Sequence, residues 1–332
     1  MIKLENIVFL SNTREKSGKR FPALAPEYGT KETVAQVISA LSRIGESVLH
    51  IEADERAYRK LYELKSNNRI DLVFNMAEGI GRHSREAHFP ALLELLDIPY
   101  TGGSPLTAIS AFDKIKTKLH FIHAGVPTPN FEVIHGHTFK LAGKLKYPLF
   151  IKPVYGGSSI GIQPRNKVST ERELKIVVKK MLQEGHAPVL VEEFIDGREF
   201  SIGFLGEELL PFDEKVFKGK EDYQHHTLKM QGRSQSLLSY ECPAKNVDIE
   251  IRAKIRKYAR LAFRATNCRD FARADFRLDK KGIPYFLDIN SPPCIVGGSF
   301  RVAAQAAGYD FNLMIKKIVE SALKRFRTPV YP

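Results

Sequence analysis

Short apolar runs alternate with amphipathic segments through residues 6–100, and this alternation restricts the folds open to the chain. Each apolar run is short enough for a buried strand, and the segments between the runs carry apolar residues at helical spacing. Such an alternation predicts a parallel sheet, and ligands bind at the carboxyl edge of parallel sheets. The loop at 75–84 follows a predicted strand, so we expect it near a binding site. The predicted strands are residues 6–10, 48–51, 71–75 and 98–100, a polar loop spans 11–29, and the predicted helices are 30–44, 54–64 and one ending at 96.

The pattern changes after the turn at Thr101–Pro105, which we interpret as a domain boundary. Beyond it the predicted strands come in pairs with helices between them, as in an α+β region. One pair is a hairpin with its turn at residues 279–282. The polar stretch Lys215–Ser239 predicts a long mobile loop, and such loops are often functional. The predicted strands here are 147–152, 189–194, 199–205, 271–278 and 284–289, and the predicted helices are 113–123, 247–266 and 311–326.

The composition is typical of a soluble globular protein, since 43% of the 332 residues are hydrophobic and 27% are charged. Chains of this length form about two domains on average, within a range of one to three. No apolar run approaches the roughly 18 residues of a membrane helix, and the first residues do not predict a secretory signal. The three cysteines lie far apart, which favours a reducing environment over a disulfide framework. We therefore expect a cytoplasmic protein without a membrane partner.

The net charge of +13 indicates affinity for anions. A basic surface attracts phosphates on nucleotides, acidic metabolites or nucleic acid, although solubility alone would explain the charge. The basic residues are scattered along the chain, which does not favour a nucleic-acid-binding tail. Nucleic-acid binding is therefore a distant alternative, and we expect no nucleic-acid partner.

A glycine- and serine-rich loop follows the predicted strand that ends at Lys152. The run from Gly156 to Gly161 allows its backbone to approach an anion closely, and the serines add hydroxyl donors. The lysine supplies a point charge for a phosphate. The run matches neither a P-loop nor a dinucleotide-binding motif. A phosphate site and a flexible hairpin both remain open from these residues alone.

Acidic side chains are grouped on the predicted C-terminal hairpin. Asp275 lies on the first strand, and Asp288 and Asn290 lie two apart on the second strand, so they share one face. Oxygen ligands of this kind are those that Mg²⁺ prefers. Arg273 shares the face of Asp275 and could neutralise a phosphoryl group or an oxyanion. The alternative is an exposed face of salt bridges.

These segments, in this order, resemble the ATP-grasp superfamily and, within it, the D-alanine–D-alanine ligase family over nearly the whole chain. The motifs that carry the resemblance are Ile98-Pro99-Tyr100-Thr101-Gly102, Asp113-Lys114, Gly125-Val126-Pro127-Thr128-Pro129, Ile151-Lys152-Pro153, Gly157-Ser158-Ser159-Ile160-Gly161, Val191-Glu192-Glu193-Phe194, Gly197-Arg198-Glu199-Phe200, Cys242-Pro243-Ala244, Arg273-Ala274-Asp275 and Asp288-Ile289-Asn290-Ser291-Pro292. The resemblance implies an α/β protein with an α+β central part, in which a parallel-sheet domain precedes an ATP-grasp fold. We expect these regions at 1–105, 106–195 and 196–332, with ATP held between the last two.

The resemblance also implies roles for individual residues. The residues expected to bind ATP are Lys114, Lys152, Gly157, Ser158, Ser159, Glu192, Glu193, Phe194, Ile195, Glu199 and Lys229, of which Glu192 to Ile195 match the adenine-reading segment and Glu199 the ribose ligand. Asp275, Asp288 and Asn290 match the ligands of two Mg²⁺ ions, for which Mn²⁺ could substitute. Arg273 matches the arginine that stabilises the oxyanion, Lys229 the mobile-loop lysine, and Ser159 a residue that pins this loop. Ser299 matches the serine that holds the second substrate, while Glu27 or Glu32 and the loop residue Glu78 are candidates for binding the first.

The implied reaction is the ATP-dependent joining of a carboxylate to an amine through an acyl phosphate. Departures from the family pattern include aspartate for glutamate at Asp288 and methionine after Lys229. Further departures, in the region 11–33 and in the loop 74–79, fall on the amino-acid pockets. Two D-alanines, another amino acid and a natural-product acceptor therefore all remain open as substrates. A homodimer is expected from the resemblance, and a nucleotide-binding protein without catalysis is a further alternative.

Overall fold

The computed structural model describes residues 4–81, 84–218, 222–225 and 237–327. Within these ranges the strands form three sheets, one parallel and two antiparallel. The predicted loop lysine, Lys229, lies outside the described residues.

The N-terminal sheet is parallel, as the strand–helix alternation predicts. Its strand order is β2-β1-β3, so the first strand lies in the middle, where both neighbours shield it. Thr30 caps the first helix by accepting a hydrogen bond from the Thr33 N–H, which confirms the predicted N-cap. The elements are β1 (Leu4–Ser11), α1 (Lys31–Leu41), β2 (Gly45–Glu52), α2 (Ala57–Ser66), β3 (Leu72–Met76) and α3 (Arg85–Leu95).

Two predictions for this region are corrected. Residues 98–100 do not form the predicted strand. Tyr100 makes an isolated parallel bridge to Val73, and Pro99 has no N–H with which to extend the pairing. The predicted polar loop 11–29 contains two short helical turns, at Arg14–Gly18 and Pro22–Leu24.

Two helices connect the parallel sheet to the rest of the chain. The sequence predicts only the second of them, because Ser104-Pro105 reads as part of a turn. Ser104 instead caps the first helix by accepting from the Thr107 N–H at 3.2 Å. Asp113 ends that helix and caps the next, accepting from two backbone N–H groups at 2.9 and 3.1 Å. The helices are α4 (Pro105–Phe112) and α5 (Lys114–His123).

The central sheet is antiparallel, in the order β4-β7-β5-β6, with one helix packed on it. Its core is aliphatic and includes Ile151, Val178 and Val191, all of which are buried. The elements are β4 (Phe131–Ile134), β5 (Leu149–Pro153), β6 (Lys167–Val168), α6 (Glu171–Gln183) and β7 (Val189–Glu193).

The C-terminal sheet is antiparallel, in the order β11-β10-β8-β12-β13, with β9 paired to β8. The predicted hairpin is confirmed. The predicted mobile loop is corrected at both ends, because residues 215–217 and 238–239 lie in paired strands. The helix at 299–306 was not predicted. The elements are β8 (Gly197–Leu205), β9 (Glu208–Leu209), β10 (Asp213–Phe217), β11 (Leu238–Glu241), α7 (Ile249–Ala265), β12 (Phe271–Asp279), β13 (Pro284–Asn290), α8 (Ser299–Ala306) and α9 (Phe311–Arg327).

Aromatic packing holds the C-terminal sheet beneath the site. Phe276 stacks on Phe200 and on Phe286, with ring centroids 5.4 and 5.2 Å apart. Phe121 of α5 and Val126 join the same buried cluster. The face of the sheet opposite these rings is therefore left for polar side chains.

Candidate active site

Residues from all three sheets line a cavity of about 570 Å³. The predicted site residues that line it are Glu78, Lys114, Lys152, Gly157, Ser158, Ser159, Glu192, Glu193, Phe194, Ile195, Glu199, Arg273, Asp275, Asp288, Asn290 and Ser299. The fold thus brings together side chains that lie more than 200 positions apart in the sequence.

One face of the C-terminal sheet forms the floor of this cavity, and strand register decides which of its side chains are neighbours. Asp275 of β12 pairs with Ser201 of β8 on one side and with Asp288 of β13 on the other. The next row on the floor pairs Arg273 with Asn290. The arginine and the three predicted metal ligands therefore form one compact group.

A β-bulge is needed to complete this group. Asp275 pairs with Asp288, but the next residue, Phe276, pairs with Phe286, so Leu287 has no partner position. The extra residue allows Phe286 to enter the core while Asp288 lines the cavity. In a regular strand Phe286 and Asp288, which are two positions apart, would point to the same face of the sheet. The bulge allows them to point to opposite faces.

Asp275 is held in its charged form by two cations. Its oxygens accept from Arg273 Nε at 2.9 Å and Arg273 Nη2 at 2.8 Å, and from the Ser201 hydroxyl at 2.5 Å. The Lys215 ammonium lies 3.7 Å from the same carboxylate. Burial alone would raise the pKa of Asp275, but Arg273 and Lys215 outweigh it and hold the pKa well below its usual range. The carboxylate is therefore an anion at neutral pH.

The donor set on this face fits a magnesium ion. Asp275, Asp288 and Asn290 offer only oxygen atoms as ligands from neighbouring positions, and the amide of Asn290 donates to Asp288 Oδ1 at 3.3 Å. No group of three His, Cys, Asp or Glu side chains that could hold a metal occurs among the described residues. Two carboxylates with an amide suffice for Mg²⁺, because water and phosphate oxygens usually complete its shell.

Glu199, the predicted ribose ligand, is fixed by two cations of the floor. Lys215 Nζ donates to its Oε1 at 2.9 Å, and Arg277 Nη1 donates to its Oε2 at 3.0 Å. The three residues occupy one cross-strand row, on β10, β8 and β12. Neither cation was predicted, although Arg277 lies two residues from Asp275, and this spacing was a usable signal.

The Glu192 side chain is paired with two buried lysines. Its carboxylate lies 2.6 Å from Lys152 Nζ and 2.8 Å from Lys118 Nζ, and its pKa is lowered because these charges outweigh its burial. Burial lowers the pKa of Lys118 to about 8. The Glu192 side chain thus orients Lys152 at the cavity wall and is not left free for an adenine. Lys118 was not among the predicted site residues.

An aromatic cluster lies beside this ion-pair group. Phe150, Phe194 and Tyr223 contact one another, with ring centroids 4.9 to 6.2 Å apart. The Glu193 carboxylate accepts a hydrogen bond from the Lys146 backbone N–H at 2.9 Å. The Ile195 carbonyl accepts from Arg277 Nε at 2.7 Å. All three rings line the cavity and give it an apolar wall on which a flat ring could stack.

The glycine- and serine-rich loop is tied to both walls of the cavity. Lys114 Nζ donates to the Gly156 carbonyl at 2.5 Å, and the Gly157 N–H donates to Glu27 Oε1 at 2.8 Å. Ser158 and Ser159 both adopt left-handed backbone conformations, with φ of 52° and 59°. Strained serines of this kind persist where the surrounding structure fixes them, often at ligand sites.

The N-terminal end of the cavity is rich in carboxylates around one buried arginine. Arg85 Nη2 donates to Glu27 Oε2 at 2.5 Å, and Arg85 Nη1 lies 3.6 Å from Glu78. Burial raises the pKa of Glu86 to about 7 and also raises the pKa of Glu78. The prediction for Glu32 is corrected, because this residue is exposed in the first turn of α1 and does not line the cavity, whereas Glu27 does.

Ser299 begins α8 and lines the cavity. Its hydroxyl donates to Asp213 Oδ2 at 2.8 Å. Asp213 is 1% exposed, and burial raises its pKa to about 6. The Ser299 hydroxyl is therefore oriented by a buried aspartate that was not among the predicted site residues.

A parallel-sheet unit followed by two antiparallel sheets, with lysines on one and carboxylates on the other, constitutes an ATP-grasp fold. Comparisons agree with this class. The family model described as D-ala D-ala ligase C-terminus matches residues 121–320. A crystal structure of D-alanine–D-alanine ligase from Bacillus anthracis complexed with ATP has a TM-score of 0.76 at 20% identity, covering 97% of this chain and 99% of that one.

Curated relatives identify the family. The uncharacterized protein y4sG of Sinorhizobium fredii is 32% identical over 93% of this chain and 93% of its own length. The D-alanine–D-alanine ligase of Aromatoleum aromaticum is 35% identical over 73% of this chain and 76% of its own length. The chain belongs to the D-alanine–D-alanine ligase family of ATP-dependent ligases. None of the helices in the described part of the chain has the length and hydropathy of a membrane span.

Proposed function

We propose that the protein is an ATP- and Mg²⁺-dependent carboxylate–amine ligase that forms a peptide or amide bond through an acyl phosphate. The observation that carries this proposal is the single cavity shared by the basic residues Lys114, Lys152 and Arg273 and the carboxylates Asp275 and Asp288. Phosphoryl transfer needs this juxtaposition of cations and metal-binding oxygens more than it needs a covalent catalyst.

In the first step, a substrate carboxylate oxygen attacks the γ-phosphorus of ATP, and the bond from that phosphorus to the bridging oxygen of ADP breaks. Lys114 and Lys152, both buried at the cavity wall, would bind the phosphates. Asp275, Asp288 and Asn290 would hold Mg²⁺, which when bound neutralises charge on the phosphate oxygens. Lys152 is already oriented for this task by Glu192.

In the second step, an amine nitrogen attacks the acyl carbon, inorganic phosphate leaves, and the amine proton passes to solvent. Arg273 is the cation best placed to stabilise the oxyanion, because Asp275 fixes its guanidinium at two atoms. Ser299, oriented by Asp213, would hold the carboxylate of the attacking amino acid. The glycine–serine loop would cover the acyl phosphate and exclude water.

The substrates to test first are two molecules of D-alanine, which the names of the ligase relatives specify for those proteins. Purified protein is incubated with ATP, Mg²⁺ and either D-alanine or pools of other amino acids. Release of ADP and phosphate together with a dipeptide in mass spectrometry is the expected result. The absence of ADP release with every pool would contradict the proposal, whereas activity with another pool would change only the substrate pair.

We also infer the organisation of the chain from the same resemblance. Regions 1–105, 106–195 and 196–332 are proposed as the three structural units, and the protein is proposed to be a cytoplasmic homodimer. Sedimentation of the purified protein tests the dimer, and limited proteolysis tests the boundaries.

A further inference from the structure

Lys215 is a buried lysine on the floor of the cavity that none of the proposed steps uses. It lies on β10, is 7% exposed and lines the cavity. Its charge is stabilised because Asp275 and Glu199 outweigh the effect of burial and raise its pKa. An ammonium in this position is a permanent cation at neutral pH.

The hydrogen bonds of Lys215 leave part of its donor capacity unused. An ammonium group has three N–H donors. Among the described residues, its hydrogen bond is to Glu199 Oε1 at 2.9 Å, while Asp275 at 3.7 Å and Tyr240 and Asp213 nearby accept none from it. A buried N–H group that has no acceptor is costly, so a cavity ligand that accepts hydrogen bonds from the remaining N–H groups is favoured there.

The neighbours of Lys215 identify the group that it would meet. Glu199 is the proposed ribose ligand, and Asp275 is a proposed metal ligand for the phosphates. A nucleotide that spans from one to the other must carry its phosphate chain past the ammonium between them. We propose that Lys215 binds the phosphate chain of the nucleotide directly, from the floor of the cavity. This inference rests on the nucleotide-binding part of the proposed function.

A comparison of ADP binding with adenosine binding tests whether Lys215 contacts the phosphates, because adenosine has none. Titration calorimetry is done in EDTA, so that no metal contributes, with the wild type, Lys215→Met and the control Lys218→Met, an exposed lysine three residues away. Lys215→Met should weaken ADP binding by about tenfold or more, the typical effect of losing a charge-assisted hydrogen bond. Adenosine binding by this variant, and both affinities of Lys218→Met, should stay close to wild type.

Each other outcome overturns the assignment. An equal loss for adenosine and ADP would mean that Lys215 acts only through Glu199 on the ribose, and unchanged ADP binding would mean that it does not reach the phosphates. Circular dichroism checks that the variant folds. If Lys215→Met does not fold, Lys215→Gln, which keeps a donor for Glu199, is used instead. The same comparison of its ADP affinity with its adenosine affinity then decides the question. Wild-type protein that binds ADP but ligates nothing would refute the ligase proposal alone.

Discussion

Arg273 donates two hydrogen bonds to the carboxylate of Asp275, from Nε at 2.9 Å and from Nη2 at 2.8 Å. This bidentate contact fixes the guanidinium at the edge of the proposed metal group, where charge would develop during amide formation. The same contact holds Asp275 in place. The residue proposed to stabilise the oxyanion in the second step therefore also positions a proposed metal ligand of the first step.

Arg273→Ala should reduce the ligation rate by about a hundredfold or more, as expected for loss of an oxyanion donor. ATP affinity should change much less, because Lys114 and Lys152 are retained. Steady-state kinetics and calorimetry measure the two effects, with Arg198→Ala as a control on the same sheet. Loss of ATP binding in proportion to loss of rate would contradict the assigned role.

Glu192→Gln should destabilise the protein strongly, because it leaves Lys118 and Lys152 buried without a counter-charge. Breaking a buried pair in this way costs about 3–5 kcal/mol. The matched control is Glu171→Gln, which removes an exposed pair with Lys175 and should leave the free energy of unfolding almost unchanged. Urea denaturation measures both free energies of unfolding, and similar small losses would argue against the importance of the Glu192 group.

Asp213 should make stability depend on pH. Burial raises its pKa to about 6, so the folded protein binds this proton more tightly than the unfolded chain does. Its contribution to the free energy of unfolding therefore falls as the pH rises from about 4 to about 6, by roughly 3 kcal/mol, and is constant above that range.

Asp213→Asn should remove this decline while keeping an acceptor for Ser299. The free energy of unfolding of the variant minus that of the wild type should therefore increase across the same pH window and then level off. Denaturation curves at a series of pH values give this difference. A difference that does not vary with pH would show that Asp213 titrates at its ordinary pKa.

Glu27→Gln should loosen the glycine–serine loop. Glu27 joins the Gly157 N–H to Arg85, whose side chain is 2% exposed, so losing the charge weakens both contacts. Hydrogen exchange of the loop amides should become about tenfold faster, corresponding to one weakened hydrogen bond. Mass spectrometry measures the exchange, with Glu55→Gln at an exposed pair with Arg20 as control. Equal exchange in both variants would show that the contact does not hold the loop.

Features that depend on near neighbours in the chain were predictable. The alternation of strands and helices predicts the parallel sheet, and the two-residue spacing of Asp288 and Asn290 predicts their shared face. Helix α4 was missed because Ser-Pro is a signal both for turns and for helix starts, and packing decides between them. The sequence could not decide between Glu27 and Glu32, because a polar segment without periodicity gives no information about side-chain direction.

The sequence by itself determined the alternation that forms the parallel sheet, the resemblance to a family and the hairpin that carries Asp275, because side-chain periodicity in strands and helices is a local property. Tertiary structure alone decided the charge pairs: Glu192 with Lys118, Glu27 with Arg85, and Lys215 between Glu199 and Asp275. The physical reason is that a buried charge needs a partner within a few ångströms in space. Sheet register and the packing of separate sheets, which no short segment specifies, select that partner.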